Sequence, residues 1–303
     1  LKILERIFKN QRLDIEFCLK KKKLFILQSR PLLGKKNKVN LNKLESIIVN
    51  LTKKFSKINS KTIGLQGSYT ILSNMSDWNP AEMIGFKPTK LASSIYSELI
   101  TDDVWSLQRS NYGYKNVYPN KLMVDMAGSF YIDLRTDLNS FLPKNLNEDI
   151  SKKIINNSLE KLKKNKFLHD KIEFEIIDTC FTLNLEEKNY SFLSKQERQI
   201  YIKSLKDLTN NILNKKNNFI DNEIDKLKIL NKKITEINKH KLSHIQKIYY
   251  LIHDCKKYGT LPFAGIARCA FISKSILDSL VASKILNGEE LKNFYQSLNT
   301  VSK

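Results

Sequence analysis

Four side chains near the start of the chain have the types and spacing to hold a metal–nucleotide pair: Asp14, Glu16, Gln28 and Arg30. They lie in two short runs, Leu13-Asp14-Ile15-Glu16-Phe17-Cys18-Leu19 and Leu24-Phe25-Ile26-Leu27-Gln28-Ser29-Arg30, separated by the lysines at 20 to 23. Such runs read as a β-hairpin, and Pro31 stops the second strand because it has no N–H to donate. Side chains alternate along a strand, so Asp14 and Glu16 share one face, while Ile15, Phe17, Phe25 and Leu27 are assigned to the apolar one. A register that sets Glu16 opposite Gln28 also sets Asp14 opposite Arg30, and it requires an odd-length turn in the lysine run. Magnesium takes hard oxygen ligands, usually one or two from protein and the rest from phosphates and water, and Glu16 and Gln28 can supply the former. Arg30 can fork onto a phosphate of the same nucleotide. An ordinary amphipathic hairpin with its charges in water is also compatible with these residues taken alone.

Other candidates are scattered further along. Asp77 and Glu82 flank Trp78 and Pro80, either as pocket-lining groups or as a capped helix start with proline near its first turn. The stretch Gly259-Thr260-Leu261-Pro262-Phe263-Ala264-Gly265 precedes Arg268. It reads as an interhelical turn or, with Thr260 and Arg268 as ligands, as an anion site at a helix N-terminus. Arg109, Arg135 and Tyr112 join the list of substrate-pocket candidates by residue type. Cys18, Cys180, Cys255 and Cys269 are far apart and form no CxxC pair, so neither zinc nor a disulfide framework is indicated, and a reducing cytoplasm fits.

The elements that must position these residues are mainly helical with a minor β component. Residues 41–58 follow a helical pattern, 77–88 form a loop with a helical turn after Pro80, and 90–112 are helical and rich in aromatics. Residues 130–134 and 171–177 are the best strand candidates after the hairpin. Leu205, Leu208 and Ile212 share one helical stripe, and Ile220, Ile224, Leu227, Leu230, Ile234 and Ile237 share another, as in an antiparallel helix pair packed on a larger body. Asn287-Gly288 reads as the close of one helix and Glu289-Glu290 as the opening of the next. Polar Gly34-Lys35-Lys36-Asn37-Lys38 marks the boundary between a first domain, 1–35, and a helical one, 40–303.

The chain of 303 residues is 41% hydrophobic, enough for a sizeable core, and carries a formal charge of +21. Only seven of its 52 basic residues are arginine, the side chain that reads base edges and forks onto phosphates. The lysines are spread along the chain among many Asn and Ile, which points to a solvated surface. Two rivals stay open: a basic helical module that binds nucleic acid or an anionic surface, and a non-catalytic helical scaffold. No run of eighteen apolar residues occurs, so no membrane partner is expected. Leu1-Lys2-Ile3 has no initiator methionine or signal-peptide pattern, which reads as a first residue that is not a natural start.

The pairing of Asp14-Ile15-Glu16-Phe17 with Gln28-Ser29-Arg30-Pro31, with eleven residues between Glu16 and Gln28, resembles the closing hairpin of the ATP-grasp domain in the phosphoenolpyruvate synthase and pyruvate phosphate dikinase family. The resemblance implies that Glu16 and Gln28 help hold Mg2+ with ATP and that Arg30 contacts the phosphates. Three further blocks are similar to synthase-like proteins with a long middle region: Ser76-Asp77-Trp78-Asn79-Pro80-Ala81-Glu82-Met83-Ile84-Gly85, Asn139-Ser140-Phe141-Leu142-Pro143, and 259–265. Rifampin phosphotransferase is similar in plan, with a helical substrate-binding region between its ATP-grasp and phosphohistidine domains. The expected function is therefore part of an ATP-dependent phosphotransferase that passes a phosphoryl group through histidine to a small acceptor such as pyruvate. The family's phosphate-cradling Gly-rich loop belongs upstream of Leu1. None of His169, His240, His244 or His253 has the Thr/Gly/Gly-rich context of the phosphohistidine. The implied partners are thus the rest of the ATP-grasp domain and a downstream phosphohistidine domain, and this chain alone is expected to lack phosphotransfer.

Overall fold

Alternation of apolar and polar residues makes the hairpin, and helical stripes make almost everything after it. The computed structural model describes residues 2–9, 13–31 and 41–298. Residues 1–50 and 51–303 form two compact units. The fold is mainly α with a minor β component, as expected, with two small antiparallel sheets. The boundary read at 34–38 lies outside the described residues.

The first unit contains helix α1 (Lys2–Ile7), strands β1 (Leu13–Lys20) and β2 (Lys23–Pro31), and most of a helix that runs on into the second, α2 (Leu41–Asn59). In the second unit, β3 (Leu72–Ser73) and β4 (Met123–Met126) flank a central strand, β5 (Ser129–Asp133). The first helices of this unit are α3 (Pro80–Met83), α4 (Lys90–Tyr96) and α5 (Val104–Asn111), with a π-helical turn at Ser97–Thr101 after α4. Strand β5 leads straight into α6 (Leu134–Asn139), because Asp133 caps that helix: its carboxylate accepts the Thr136 N–H at 3.0 Å and the Thr70 hydroxyl at 2.5 Å.

The core gathers around α6 and α7 (Glu148–Lys164), where Leu134, Leu138, Phe141, Ile155 and Leu159 are fully buried. Acidic residues in the first turn of α7 and lysines in its last turn oppose the helix dipole. Truncating a residue such as Leu159 to alanine should cost about 2–5 kcal/mol. Helix α8 (Lys195–Leu213) opens with a Ser194–Glu197 capping box and buries the predicted stripe Leu205, Leu208 and Ile212.

Helix α9 (Phe219–Lys239) pairs with the chain that follows it, and not with α8. That chain comprises α10 (His244–Cys255), a π-turn at Lys256–Thr260 and α11 (Leu261–Ala282). The pairing is antiparallel: Lys233 faces Asp254 at 3.8 Å, and a Cβ on Gly259 would lie 3.2 Å from Leu230. At Gly265 a Cβ would collide with the Tyr112 phenol, so glycine is what lets α11 approach the end of α5. The α9 stripe is only half used, since Ile237 is buried while Ile220 and Ile224 stay exposed. Residues 244–282 form one continuous helix, long and apolar enough to cross a membrane by length and composition, and it places Arg268, Cys269 and Ile272 in the interior of this unit.

Two other expectations are corrected. Residues 171–177 are not a strand, because Ile172–Ile176 form a π-helical turn. Ile172 and Ile176 are buried, one helical turn apart, while Phe174 is 39% exposed; a strand would have put all three on one face. Asn287 does not close a helix but caps the start of α12 (Gly288–Ser297), reciprocally with Glu290; the preceding helix ends at Ala282.

Candidate functional site

In the hairpin, Lys21 and Lys22 both adopt positive φ, 47° and 63°, and close a two-residue turn between Lys20 and Lys23. An even turn alone would pair Glu16 with Leu27. An irregularity opposite the Glu16/Phe17 step leaves Leu27 as an extra residue, so Phe17 pairs with Ile26, Glu16 with Gln28 and Asp14 with Arg30. The expected register is present, but a bulge supplies it and not an odd turn. The bulge also changes the faces: Phe25, opposite Cys18, joins the side of Glu16 and Gln28, while Ile26 joins Phe17.

Glu16 and Gln28 are exposed and their side chains make no hydrogen bond or ion pair among the described residues, although the Glu16 charge is felt by Arg30. Arg30 donates through Nε to Asp14 Oδ2 at 2.7 Å, an exposed ion pair of the kind worth about 0–1 kcal/mol. Two neighbouring, uncommitted oxygen ligands on one face fit the small number of protein ligands that Mg2+ takes beside nucleotide phosphates. Among the described residues no group of three or more His, Cys, Asp or Glu side chains converges as an all-protein metal cage.

A second cluster lies inside the helical unit. The Arg109 Nη1 on α5 donates to Asp137 Oδ1 on α6 at 2.8 Å and to the Ser140 hydroxyl, while Nη2 donates to Asp77. Arg268 on α11 pairs with Glu173 from the π-turn. Both guanidiniums lie against one ring, Phe141, at 3.8 and 4.9 Å from its centroid. All five charged groups are largely buried. Burial drives the Asp137 carboxyl up to about 7, against the opposing pull of Arg109, with Asp77 adding to the rise. With a proton on Asp137 the two cations and two remaining anions balance. Asp137 Oδ2, Arg268 Nε and Trp105 Nε1 are buried without a hydrogen-bond partner among the described residues, so polar capacity is left over around the cluster.

The structure therefore brings Asp77, Arg109 and Arg268 together, with Trp78 alongside. Trp78 has a left-handed backbone, φ 54°, its carbonyl accepts the Tyr96 hydroxyl, and its ring lies 6.3 Å from that of Phe263. Four predicted residues are not part of this cluster. Tyr112 is buried in a separate hydrophobic core, its ring 4.7 Å from that of Phe219. Glu82 is exposed on α3, whose start is capped by Asn79 with Pro80 in the first turn, so a capped helix start accounts for its spacing. Arg135 is an internal brace: it donates to the Ile58 carbonyl at 2.6 Å, the Ser60 carbonyl at 2.9 Å and the Thr62 hydroxyl at 3.0 Å, closing the end of α2. Thr260 ends the π-turn between α10 and α11, where the helix is continuous. No free helix N-terminus is presented there, and neither the anion site nor the interhelical turn is formed. Asp137, Ser140, Phe141 and Glu173 were not singled out as site residues; only the block 139–143 hinted at two of them.

Compared with known proteins, the chain matches no family model, no curated protein and no solved structure.

Proposed function

We propose that the chain is part of an ATP-dependent phosphotransferase of the phosphoenolpyruvate synthase type. Glu16 and Gln28 would hold Mg2+ together with the ATP phosphates, and the Arg30 guanidinium, bound to Asp14 by Nε alone, keeps both Nη groups for a phosphate. The phosphoryl group would pass to a histidine on a downstream domain and then to a small acceptor such as pyruvate, the helical unit being the acceptor-binding region. The metal supplies charge neutralisation and in-line alignment when bound. The observation that carries the reading is the register, which sets Glu16 across from Gln28 and Asp14 across from Arg30 with the first pair uncommitted. In the helical unit Arg109 and Arg268 already face carboxylates, so an anionic acceptor would have to compete with Asp77 and Glu173 for them.

The test is ATP-dependent histidine phosphorylation in a polypeptide that also carries the upstream and downstream domains this reading requires. Glu16→Ala and Arg30→Ala should each lower the labelling rate by about a hundredfold, the usual effect of removing one transition-state contact. Unchanged labelling in both variants would remove the hairpin from the reaction.

A further inference from the structure

The side of α10 that turns away from α9 is apolar. Ile245, Ile248, Tyr249 and Ile252 have the spacing of one helical stripe, and the first three are 80%, 57% and 66% exposed. On the opposite side of the helix Asp254 is buried, with Lys233 of α9 3.8 Å away. A surface helix ordinarily turns such a stripe towards the core. Here the α9–α10 pair presents it to solvent, and contiguous apolar surface of this kind marks an interaction face.

Charge says what that face meets. From Lys239 to Tyr258 the only carboxylate is that of Asp254, and it is buried. Exposed Lys239 and Lys241 precede the stripe, and exposed Lys257 follows it. A second copy of the chain is disfavoured, because a self-complementary contact through this face would bring like-charged lysines together. Nucleic acid would engage the lysines and leave the isoleucines in water. An anionic phospholipid surface uses both: lysines meet the headgroups, isoleucines enter the acyl boundary, and tyrosine suits the level between. The helix does not cross a bilayer in this fold, since its continuation α11 holds Arg268, Cys269 and Ile272 in the interior. Lying on a surface requires no spanning run, so the lack of one, which led to the expectation of no membrane partner, does not oppose it.

We infer that α10 docks the chain on an anionic phospholipid surface, with Ile245, Ile248, Tyr249 and Ile252 inserted and Lys239, Lys241 and Lys257 on the headgroups. This face is separate from the hairpin and does not depend on the phosphotransferase reading. The test is co-sedimentation of the whole chain with phosphatidylcholine vesicles, alone or with about 30 mol% phosphatidylserine. The chain should sediment with the mixed vesicles and stay in solution with the neutral ones. A chain of net charge +21 is drawn to any anionic surface, so the deciding variant leaves charge untouched. Ile245→Gln/Ile248→Gln, altered only at exposed helical positions, should keep its melting temperature and bind the mixed vesicles about tenfold to a hundredfold more weakly, as removing two partly inserted isoleucines implies. Failure to sediment with the mixed vesicles would overturn the proposal, and so would sedimentation that the double variant leaves unchanged. Binding to single-stranded RNA that the double variant weakens equally would overturn it too, by giving the face to nucleic acid.

Discussion

On the hairpin, Glu16 and Gln28 stand exposed without a hydrogen bond or ion pair among the described residues, and Arg30 holds Asp14 by a single nitrogen. In the helical unit, Arg109 and Arg268 are buried and each faces at least one carboxylate. The same residue types are therefore available for a ligand in one place and engaged with each other in the other. Exposure keeps the hairpin groups hydrated and their removal cheap, whereas a buried guanidinium that loses its partners, or leaves them behind, is expensive. Stability and ligand binding should respond to mutation in opposite regions.

The largest effect on stability should come from Arg109→Ala, which strands Asp77 and Asp137 in the interior. A loss of about 3–5 kcal/mol by urea unfolding is expected. A loss no greater than that of an exposed pair would mean that the cluster is hydrated and not part of the core.

A smaller, pH-dependent effect should come from Asp137. Its carboxyl is raised from 3.8 in the unfolded chain to about 7 in the folded one. Between those values the native state binds more protons than the unfolded state, so stability falls as pH rises. The contribution is complete below the lower value and is lost as pH climbs through the upper. Asp137→Asn should flatten this part of the stability profile, and a wild-type profile parallel to the variant's would show that Asp137 ionises normally.

The smallest effect belongs to the hairpin. Glu16→Ala should change unfolding free energy by no more than about 0.5 kcal/mol, since the side chain is exposed and makes no hydrogen bond or ion pair among the described residues. A much larger loss would move Glu16 from the ligand-binding group to the structural one.

How far the sequence carried the reading follows from how local each feature is. The hairpin register was legible because alternation places Asp14 with Glu16 and Gln28 with Arg30; the Leu27 bulge was not, because no proline or glycine marks it and a two-residue lysine turn looks unremarkable. The α8 stripe was legible for the same reason. Residues 171–177 misled because alternating Ile, Glu and Phe mimic a strand, while the burial of Ile172 and Ile176 is decided by contacts with distant elements. The interior cluster joins positions 77, 109, 137, 173 and 268, and only tertiary packing relates them. Arg135 was chosen for its type, which says nothing about the three acceptors at the end of α2 that occupy it.

The central claim is that the hairpin face holds the metal of a nucleotide complex. It is tested most directly by replacing Mg2+ with paramagnetic Mn2+ in the presence of ATP, in a polypeptide that supplies the phosphate-cradling segment the proposal requires. The account predicts selective broadening of the Gln28 side-chain amide and the Glu16 backbone amide. Mn2+ with ATP bound to the protein while Gln28 and Glu16 keep their line widths would contradict it.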